Sequence, residues 1–507
     1  MDLETLLSYE WSSMAPEFTI LITATLLSLL DLFIGKDKDR KGFVFLGLLG
    51  IVVSLVFLVG QFNEEVTTIL NNTYRLDSFA KAFKLLMLIG TGLVFLMALD
   101  RSGIEKEYRG EFYYLMLTAL LGGMMMASSA DLITLFVGLE LLSLSSYILV
   151  GMRKNNLQSN EAAFKYVVNG SIATAFTLFG MSYLYGFTGT TNLYEIAGAI
   201  ANPLVQDNAF LMIFAFFLLF GGLSFKIAAA PFHMWAPDVY QGAATPVTAF
   251  LSVVSKTAGF ALLIRMMVLS FAQAPGLQVL TGVKPLLLSV QPYIAFLAGI
   301  TMIVGNTAAL RQRNVKRLFA YSSIAHAGYL LVPFISLSGF LFNMTAFYLG
   351  AYLLMNLGAF AILHYVTTRA DSEDLNVFSG LYKKNPLLAL GMTIFLLSLA
   401  GIPLTAGFIG KYGIFMTALS TVPKHYFLVG VMLATTIVSY IYYFNIMVQM
   451  YFRKHEGEER EEASLPIGIR TVIIVCLAGT LLFGIFPGIG LEFMNQHFNF
   501  SDVFLVK

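Results

Sequence analysis

The sequence predicts an all-α protein that crosses a membrane many times, and three observations carry the prediction. Of its 507 residues, 57% are hydrophobic and only 12% charged, with a mean hydropathy of +0.76; a soluble domain carries about 25% charged residues. The apolar residues fall into runs of roughly twenty, the length that spans a bilayer core. The connections between these runs alternate in Lys and Arg content, as loops on the two sides of a membrane do.

By length the runs number about fourteen. The early ones are 16–34, 42–60, 78–99, 111–129, 131–151 and 161–186; the middle ones are 208–230, 243–270, 286–309 and 318–336; the last are 341–366, 386–419, 425–451 and 468–487. The nearly continuous stretch 111–151 divides at Ser128–Asp131, a short polar turn. Residues 1–15 lack a basic n-region, and the first run holds Asp31 and no small-residue cleavage site, so it is read as a membrane helix and not a cleaved leader.

The odd-numbered loops are basic. They carry Lys36, Lys38, Arg40 and Lys41; Arg101, Lys106 and Arg109; Arg153 and Lys154; Arg311, Arg313, Lys316 and Arg317; Arg369, Lys383 and Lys384; and Arg453, Lys454 and Arg460. The even loops hold only Arg75, Lys284 and Lys424. Loop seven, 231–242, is the exception: it has neither Lys nor Arg, as expected if it dips into the protein. The alternation predicts both termini on the outer (periplasmic or extracellular) face of a bacterial plasma membrane. No soluble domain interrupts the pattern, and 453–465 reads as a solvated cytoplasmic loop.

Two runs are broken. In 221–257, Pro231, Pro237, Gly242 and Pro246 interrupt helices that also carry Lys226 and Lys256; in 395–413, Gly401, Pro403, Gly407 and Gly410 precede Lys411. A helix break at membrane depth is tolerated only where protein or a water-filled cavity surrounds it. Paired broken helices in corresponding places point to inverted repeats. The expected division is three spans in 1–110, five-span repeats at 111–270 and 286–451, and a loop and last span in 452–507. Five is odd, so the repeats insert with opposite orientation.

Ionisable residues within spans mark function. Glu140 lies mid-span, where an uncompensated acid costs about 2.5–3.5 kcal/mol. Lys226 is its natural partner: when Glu140 moves away, Lys226 loses a stabilising charge and gives up a proton. The bland alternative is a static strut between helices. Lys256 has no acid close in sequence, and a desolvated lysine suits a relay; the alternative for it, and for Lys411 at the second break, is a buried structural contact. His326 passes protons near neutral pH or is a hydrogen-bonded core residue. His233 either lines the same cavity or caps carbonyls freed by the break. Lys165 pairs with Glu161 one turn earlier. Arg265 is expected to snorkel from its helix end, and Lys81 and Lys84 to be interfacial. Met124–Met126 read as packing.

The net charge of +1 gives no ground for a nucleic-acid partner. A single cysteine, Cys476, excludes an internal disulfide and a cysteine-held iron–sulfur cluster, and the six histidines show no metal or bis-haem spacing. No dinucleotide fingerprint, phosphate-cradling loop or nucleophile motif occurs, so cofactor-binding and metal sites are not expected in this chain.

Three strings, LFVGLELLSLSSYILVG, FKIAAAPFHMWAPDVYQGAATPV and GIPLTAGFIGKYGIF, resemble the antiporter-like membrane subunits of respiratory proton-pumping NADH:quinone oxidoreductase, complex I. The details APDVYQG and TAFLSVVSK are most similar to its subunit N branch, and Lys411 argues against the M branch, which usually has glutamate there. One departure is Ala244, where the family commonly has proline; with Pro246 retained, the break is expected to survive. The resemblance covers essentially the whole chain. It implies fourteen helices in two inverted five-helix repeats, with a hydrophilic axis through the membrane midplane. It implies that Glu140, Lys226, Lys256 and Lys411 carry protons, with Lys165, His233 and His326 as secondary members. It places NADH, FMN, iron–sulfur clusters and quinone in other subunits, and makes the other membrane and hydrophilic subunits and the lipid bilayer the partners. The rival readings are a subunit of a multisubunit Na⁺/H⁺ antiporter without electron transfer, and a non-pumping scaffold.

Overall fold

A computed structural model describes residues 3–35, 38–99, 102–200, 209–271, 274–279, 282–336, 340–420, 424–454 and 465–504. Lys36, Arg101 and Arg460 of the loop pattern, and most of the segment 453–465, lie outside the described residues.

Helices α1 (Ala15–Phe33) and α2 (Lys41–Gly60) lead through an antiparallel hairpin, β1 (Thr67–Ile69) and β2 (Tyr74–Leu76), to α3 (Ser78–Ala98). Then come α4 (Arg109–Ser128), α5 (Leu132–Val150), α6 (Leu157–Thr188), α7 (Ala209–Ile227), the short α8 (Trp235–Gly242) and α9 (Thr245–Leu269). The chain continues as α10 (Leu286–Ala309), α11 (Val315–Leu331), α12 (Phe340–Ala370), α13 (Pro386–Ala400), α14 (Ala406–Ser420), α15 (Tyr426–Phe452) and α16 (Ile467–Ile485). Among the described residues, twelve helices are long and apolar enough to cross a membrane. The two further expected spans are also helical: α4, and the run 386–419, which divides into α13 and α14 of 15 residues each.

The expected turn at Ser128–Asp131 is present, because Asp131 caps α5 by accepting hydrogen bonds from the backbone N–H of Ile133 (2.8 Å) and Thr134 (3.2 Å). Asn314 caps α11 in the same way, through the N–H of Arg317 at 3.1 Å. Each cap also forms an isolated antiparallel bridge to a residue beyond the next helix: Asp131 to Asn192 after α6, and Asn314 to Asp374 after α12. The helix pairs on either side of these caps touch backbone to backbone. A Cβ on Gly122 of α4 would lie 2.6 Å from the Leu142 nitrogen of α5, and one on Gly305 of α10 would lie 2.5 Å from the Ala325 nitrogen of α11. Close approach through a residue without a side chain is a common way of packing membrane helices.

The first break falls at 228–234, between α7 and α8, where Ala228 adopts φ +57°. Pro237 is the third residue of α8, where no intrahelical donor is required, and Pro246 lies in the first turn of α9. These prolines therefore begin helices instead of breaking them. Ala244 is the N-cap of α9 with φ −61° and ψ 143°, a backbone that the family's usual proline would share. The second break, between α13 and α14, turns on left-handed Gly401 (φ +83°) and Leu404 (φ +72°). Helix α9 contains two π-helical stretches, Leu251–Ser255 just before Lys256 and Arg265–Leu269 beginning at Arg265. Such wide turns often mark functional positions.

Three sequence expectations are corrected. Arg265 does not snorkel: it is fully buried, gives a bidentate pair to Asp77 (2.8 and 2.7 Å), and donates to the Ala127 carbonyl. Lys84 and Lys81 are not interfacial. Lys84 is fully buried, paired with Glu17 and donating to the Tyr74 hydroxyl at 2.8 Å; buried Lys81 donates to the Glu64 carbonyl at 2.7 Å. Their partners lie on α1, on β2 and in the connections around the hairpin. Met124 and Met126 are fully buried, as packing residues would be.

Candidate functional site

Glu140 and Ser143 lie one turn apart on α5 and so share a face. Lys226, next to last in α7, donates to Ser143 Oγ at 3.1 Å. Thr174 of α6 donates to Glu140 Oε1 at 2.8 Å. Lys226 and Glu140 attract one another, yet no ion pair joins them within 4.0 Å among the described residues. The expected partners are thus placed near each other but held apart, each on a hydroxyl. Glu140 is half-buried, on an α5 face that also exposes Val137 and Leu144. The carbonyls freed where α7 ends are taken up locally: Phe225 O accepts from Trp235 Nε1 (3.0 Å) and Ser224 O from the Ala229 N–H (2.9 Å).

Buried Lys256 donates to both the carbonyl and the hydroxyl of Ser323 on α11, and Tyr240 of α8 joins the same hydroxyl at 3.1 Å. Residues Ser322, Ser323, His326 and Tyr329 lie along one side of α11. Ser322 meets the Tyr443 hydroxyl of α15 (2.5 Å), which reaches His326 Nε2 at 3.3 Å. His326 Nδ1 meets the Tyr348 hydroxyl of α12 at 2.6 Å. Both Lys256 and Lys411 act electrostatically on His326. Lys411 lies over the Tyr329 ring, 4.8 Å from its centroid, and donates to the carbonyls of Leu399 (2.8 Å) and Ala400 (3.2 Å), in the last turn of α13. The second break thus supplies the oxygen ligands of its own lysine.

This arrangement brings Lys256, His326 and Lys411 into one buried polar belt. Lys226 comes close to the helix that carries Lys256: a Cβ on Gly259, one turn beyond Lys256, would lie 3.2 Å from Lys226 Cγ. Among the described residues, none of the three lysines has a carboxylate within 4.0 Å. Buried ammonium groups held by hydroxyls, carbonyls and ring faces can give up a proton without leaving an unpaired carboxylate.

Two predicted residues stand apart. Lys165 is 40% exposed and pairs with both Glu161 and Asp238 at 2.6 Å. His233 is half-buried in the first break, between exposed Phe232 and Met234. Sequence reasoning missed Ser143, Tyr240, Ser323, Tyr348 and Tyr443. A usable signal for one of them was Tyr348 four residues before Tyr352, a hydroxyl stripe at helical spacing in an apolar run.

The family described as "NADH:quinone oxidoreductase/Mrp antiporter, TM" matches residues 129–439. A protein from Anoxybacillus flavithermus named NADH-quinone oxidoreductase subunit N is 58% identical over 99% of both chains. One of the same name from Bacillus anthracis is 53% identical over 98% of this chain and 97% of its own. Among solved structures, a chain of respiratory complex I from Thermus thermophilus is 33% identical with a TM-score of 0.78, covering 94% of this chain and 98% of that one. A chain of the membrane-bound sulfane sulfur reductase, an archaeal respiratory membrane complex, is 25% identical with a TM-score of 0.82 over 97% of both. The chain belongs to the NADH:quinone oxidoreductase/Mrp antiporter membrane family, in the branch whose members are named subunit N.

Proposed function

We propose that this chain is a proton-translocating membrane subunit of a respiratory NADH:quinone oxidoreductase, that protons cross it by way of Glu140, Lys226, Lys256, His326 and Lys411, and that electron transfer takes place in neighbouring subunits. The observation that carries the pathway is the state of the three lysines: buried, without a carboxylate within 4.0 Å among the described residues, and next to a belt of hydroxyl and imidazole groups. Glu140 sets whether Lys226 holds its proton. Closing the gap between them loads Lys226; opening it releases the proton toward Lys256 past Gly259. Tyr240, Ser323, Tyr443 and His326 pass it along, and Lys411 exchanges with the second half-channel. NADH, FMN, iron–sulfur clusters and quinone belong to the hydrophilic and membrane partners, whose redox steps drive the Glu140 gap.

Two inverted five-span repeats, 111–270 and 286–451, organise this path. The matched caps and bridges at Asp131 and Asn314, and the matched glycine contacts at Gly122 and Gly305, support the division. The alternation of basic loops supports both termini on the outer face of the bacterial plasma membrane.

The test is Lys226→Ala in the assembled complex. Quinone-linked proton uptake should fall sharply, while assembly and NADH oxidation by a water-soluble acceptor stay normal. Normal pumping by a fully assembled variant would sink the pathway. Purification with only small membrane subunits and no redox activity would favour the cation/proton antiporter reading instead.

A further inference from the structure

Helix α8 is eight residues long and packs between α6 and α11. Its side chains tie it in three directions. Trp235 stacks on Tyr166 of α6, with ring centroids 4.5 Å apart and planes within 8°, and donates to the Phe225 carbonyl beside Lys226. Tyr240 meets Ser323, the residue that holds Lys256. Asp238 is two positions before Tyr240, so the two side chains point to nearly opposite sides of the helix. Asp238 accepts from Lys165 of α6 at 2.6 Å and from Arg317 of α11 at 2.5 Å, and Arg317 also donates to Gln241 Oε1 at 3.1 Å. Lys316 of α11 reaches the Ala243 carbonyl just past the helix at 2.8 Å.

Resting on the proton pathway proposed above, we infer that Asp238 is a positioning residue: by clasping α6 to α11 through α8, it holds Tyr240 against Ser323 and so fixes the hydroxyl partner of Lys256. Lys165 then serves the clasp, not the buried relay. Asp238 and its two partners are each between 28% and 40% exposed, and pairs this exposed add little to stability. What the clasp adds to the Trp235 stack and the Lys316 contact is a hold on the side of α8 that faces away from Tyr240. A helix of two turns flanked by breaks at both ends cannot set its own rotation.

The experiment compares Asp238→Asn, Asp238→Glu, Tyr240→Phe and the double variant Asp238→Asn/Tyr240→Phe in the native, assembled complex. Quinone-linked turnover and protons translocated per electron are measured. Asp238→Asn should slow turnover on the order of ten- to a hundredfold, since a misplacement of about 1 Å in a reacting group can cost roughly a hundredfold. Asp238→Glu should recover most of the rate. The double variant should be no slower than the slower single variant, because both changes cut one linkage. Normal turnover in Asp238→Asn, an Asp238→Glu complex as slow as Asp238→Asn, or additive losses in the double variant would each overturn the clasp. A Lys226→Ala complex measured alongside separates the two levels. Loss of pumping there, with a normal Asp238→Asn complex, removes only the clasp. Normal pumping there removes the pathway and the clasp together.

Discussion

Two sets of buried cations lie in the same helical body and are treated in opposite ways. Around the start of α3, two fully buried cations have acids: Lys84 has Glu17, and Arg265 has Asp77 in a bidentate fork with a carbonyl behind it, while Lys81 beside them is held by the Glu64 carbonyl. Nearby Arg75 also reaches Asp77 at 3.4 Å, and ties in the C-terminal segment by donating to the Asp502 carbonyl. In the belt from Lys226 to Lys411, the partners are hydroxyls, carbonyls and aromatic faces. A charge fixed against an opposite charge keeps its proton. A charge held only by neutral dipoles can lose it, because nothing nearby becomes an orphaned ion when it does. The first cluster joins α1, α3, α9 and the chain end into one body; the second is built to change state inside that body.

The largest expected effect falls on the fixed set. Asp77→Ala leaves Arg265 buried without its carboxylate, and breaking such a pair costs about 3–5 kcal/mol. The complex should then fail to assemble, seen as loss of the intact band on a native gel. An assembled Asp77→Ala complex of normal thermal stability would mean that the cluster is not the clamp described.

A smaller effect is expected at Gly259, where Lys226 packs against the helix that carries Lys256. In Gly259→Ala, the new methyl would lie 3.2 Å from both Lys226 Cγ and Ile227 Cγ2, tighter than ordinary packing. Assembly should persist, while quinone-linked turnover falls several-fold and reduction of a water-soluble acceptor does not change. Unchanged turnover would show that Lys226 and Lys256 do not communicate past this point.

The smallest expected effect concerns pH. Burial works to raise the Asp238 carboxyl, but hydrogen bonds and charge from Lys165 and Arg317 outweigh it and hold the pKa below the usual carboxylate value. Among the described residues, Glu161 shares Lys165 with Asp238, and Lys316, next to Arg317 on α11, is paired with Glu373 at 2.7 Å. With a depressed folded pKa, its contribution is complete above the ordinary carboxylate value of about 4 and is lost only as pH falls through the folded value. The ratio of wild-type to Asp238→Asn turnover should therefore stay flat from about pH 6 to 8. A ratio that converges on one within that window would contradict a clasp that is closed at neutral pH.

Much of this was legible in the sequence, for reasons that can be named. Hydropathy located the spans because a bilayer forces about twenty apolar residues per crossing. The Ser128–Asp131 turn was readable because Asp131 is a capping residue between two apolar runs. Both breaks, and Lys226, Lys256 and Lys411, stood out because broken backbone at membrane depth needs shelter and an ionisable side chain there is costly. What could not be read was pairing. Arg265 looked like a snorkelling residue because Asp77 is 188 positions away, and Lys84 looked interfacial because Glu17 lies on another helix. Periodicity says which face a residue occupies, not which helix arrives there. The hydroxyl belt was hidden for a different reason. Tyrosines such as Tyr348 and Tyr443 in an apolar helix are read as packing, and only the assembled fold brings their hydroxyls to His326.

The most direct test of the contrast between the two sets is to replace one lysine of each by a cation that does not deprotonate. Lys256→Arg and Lys84→Arg would be introduced separately, and proton translocation per electron measured in assembled complexes. Because Lys84 is a fixed charge against Glu17, an arginine can serve in its place, and Lys84→Arg should pump. Because Lys256 must release its proton, Lys256→Arg should assemble and fail to pump. A Lys256→Arg complex that pumps at the wild-type stoichiometry would contradict the account.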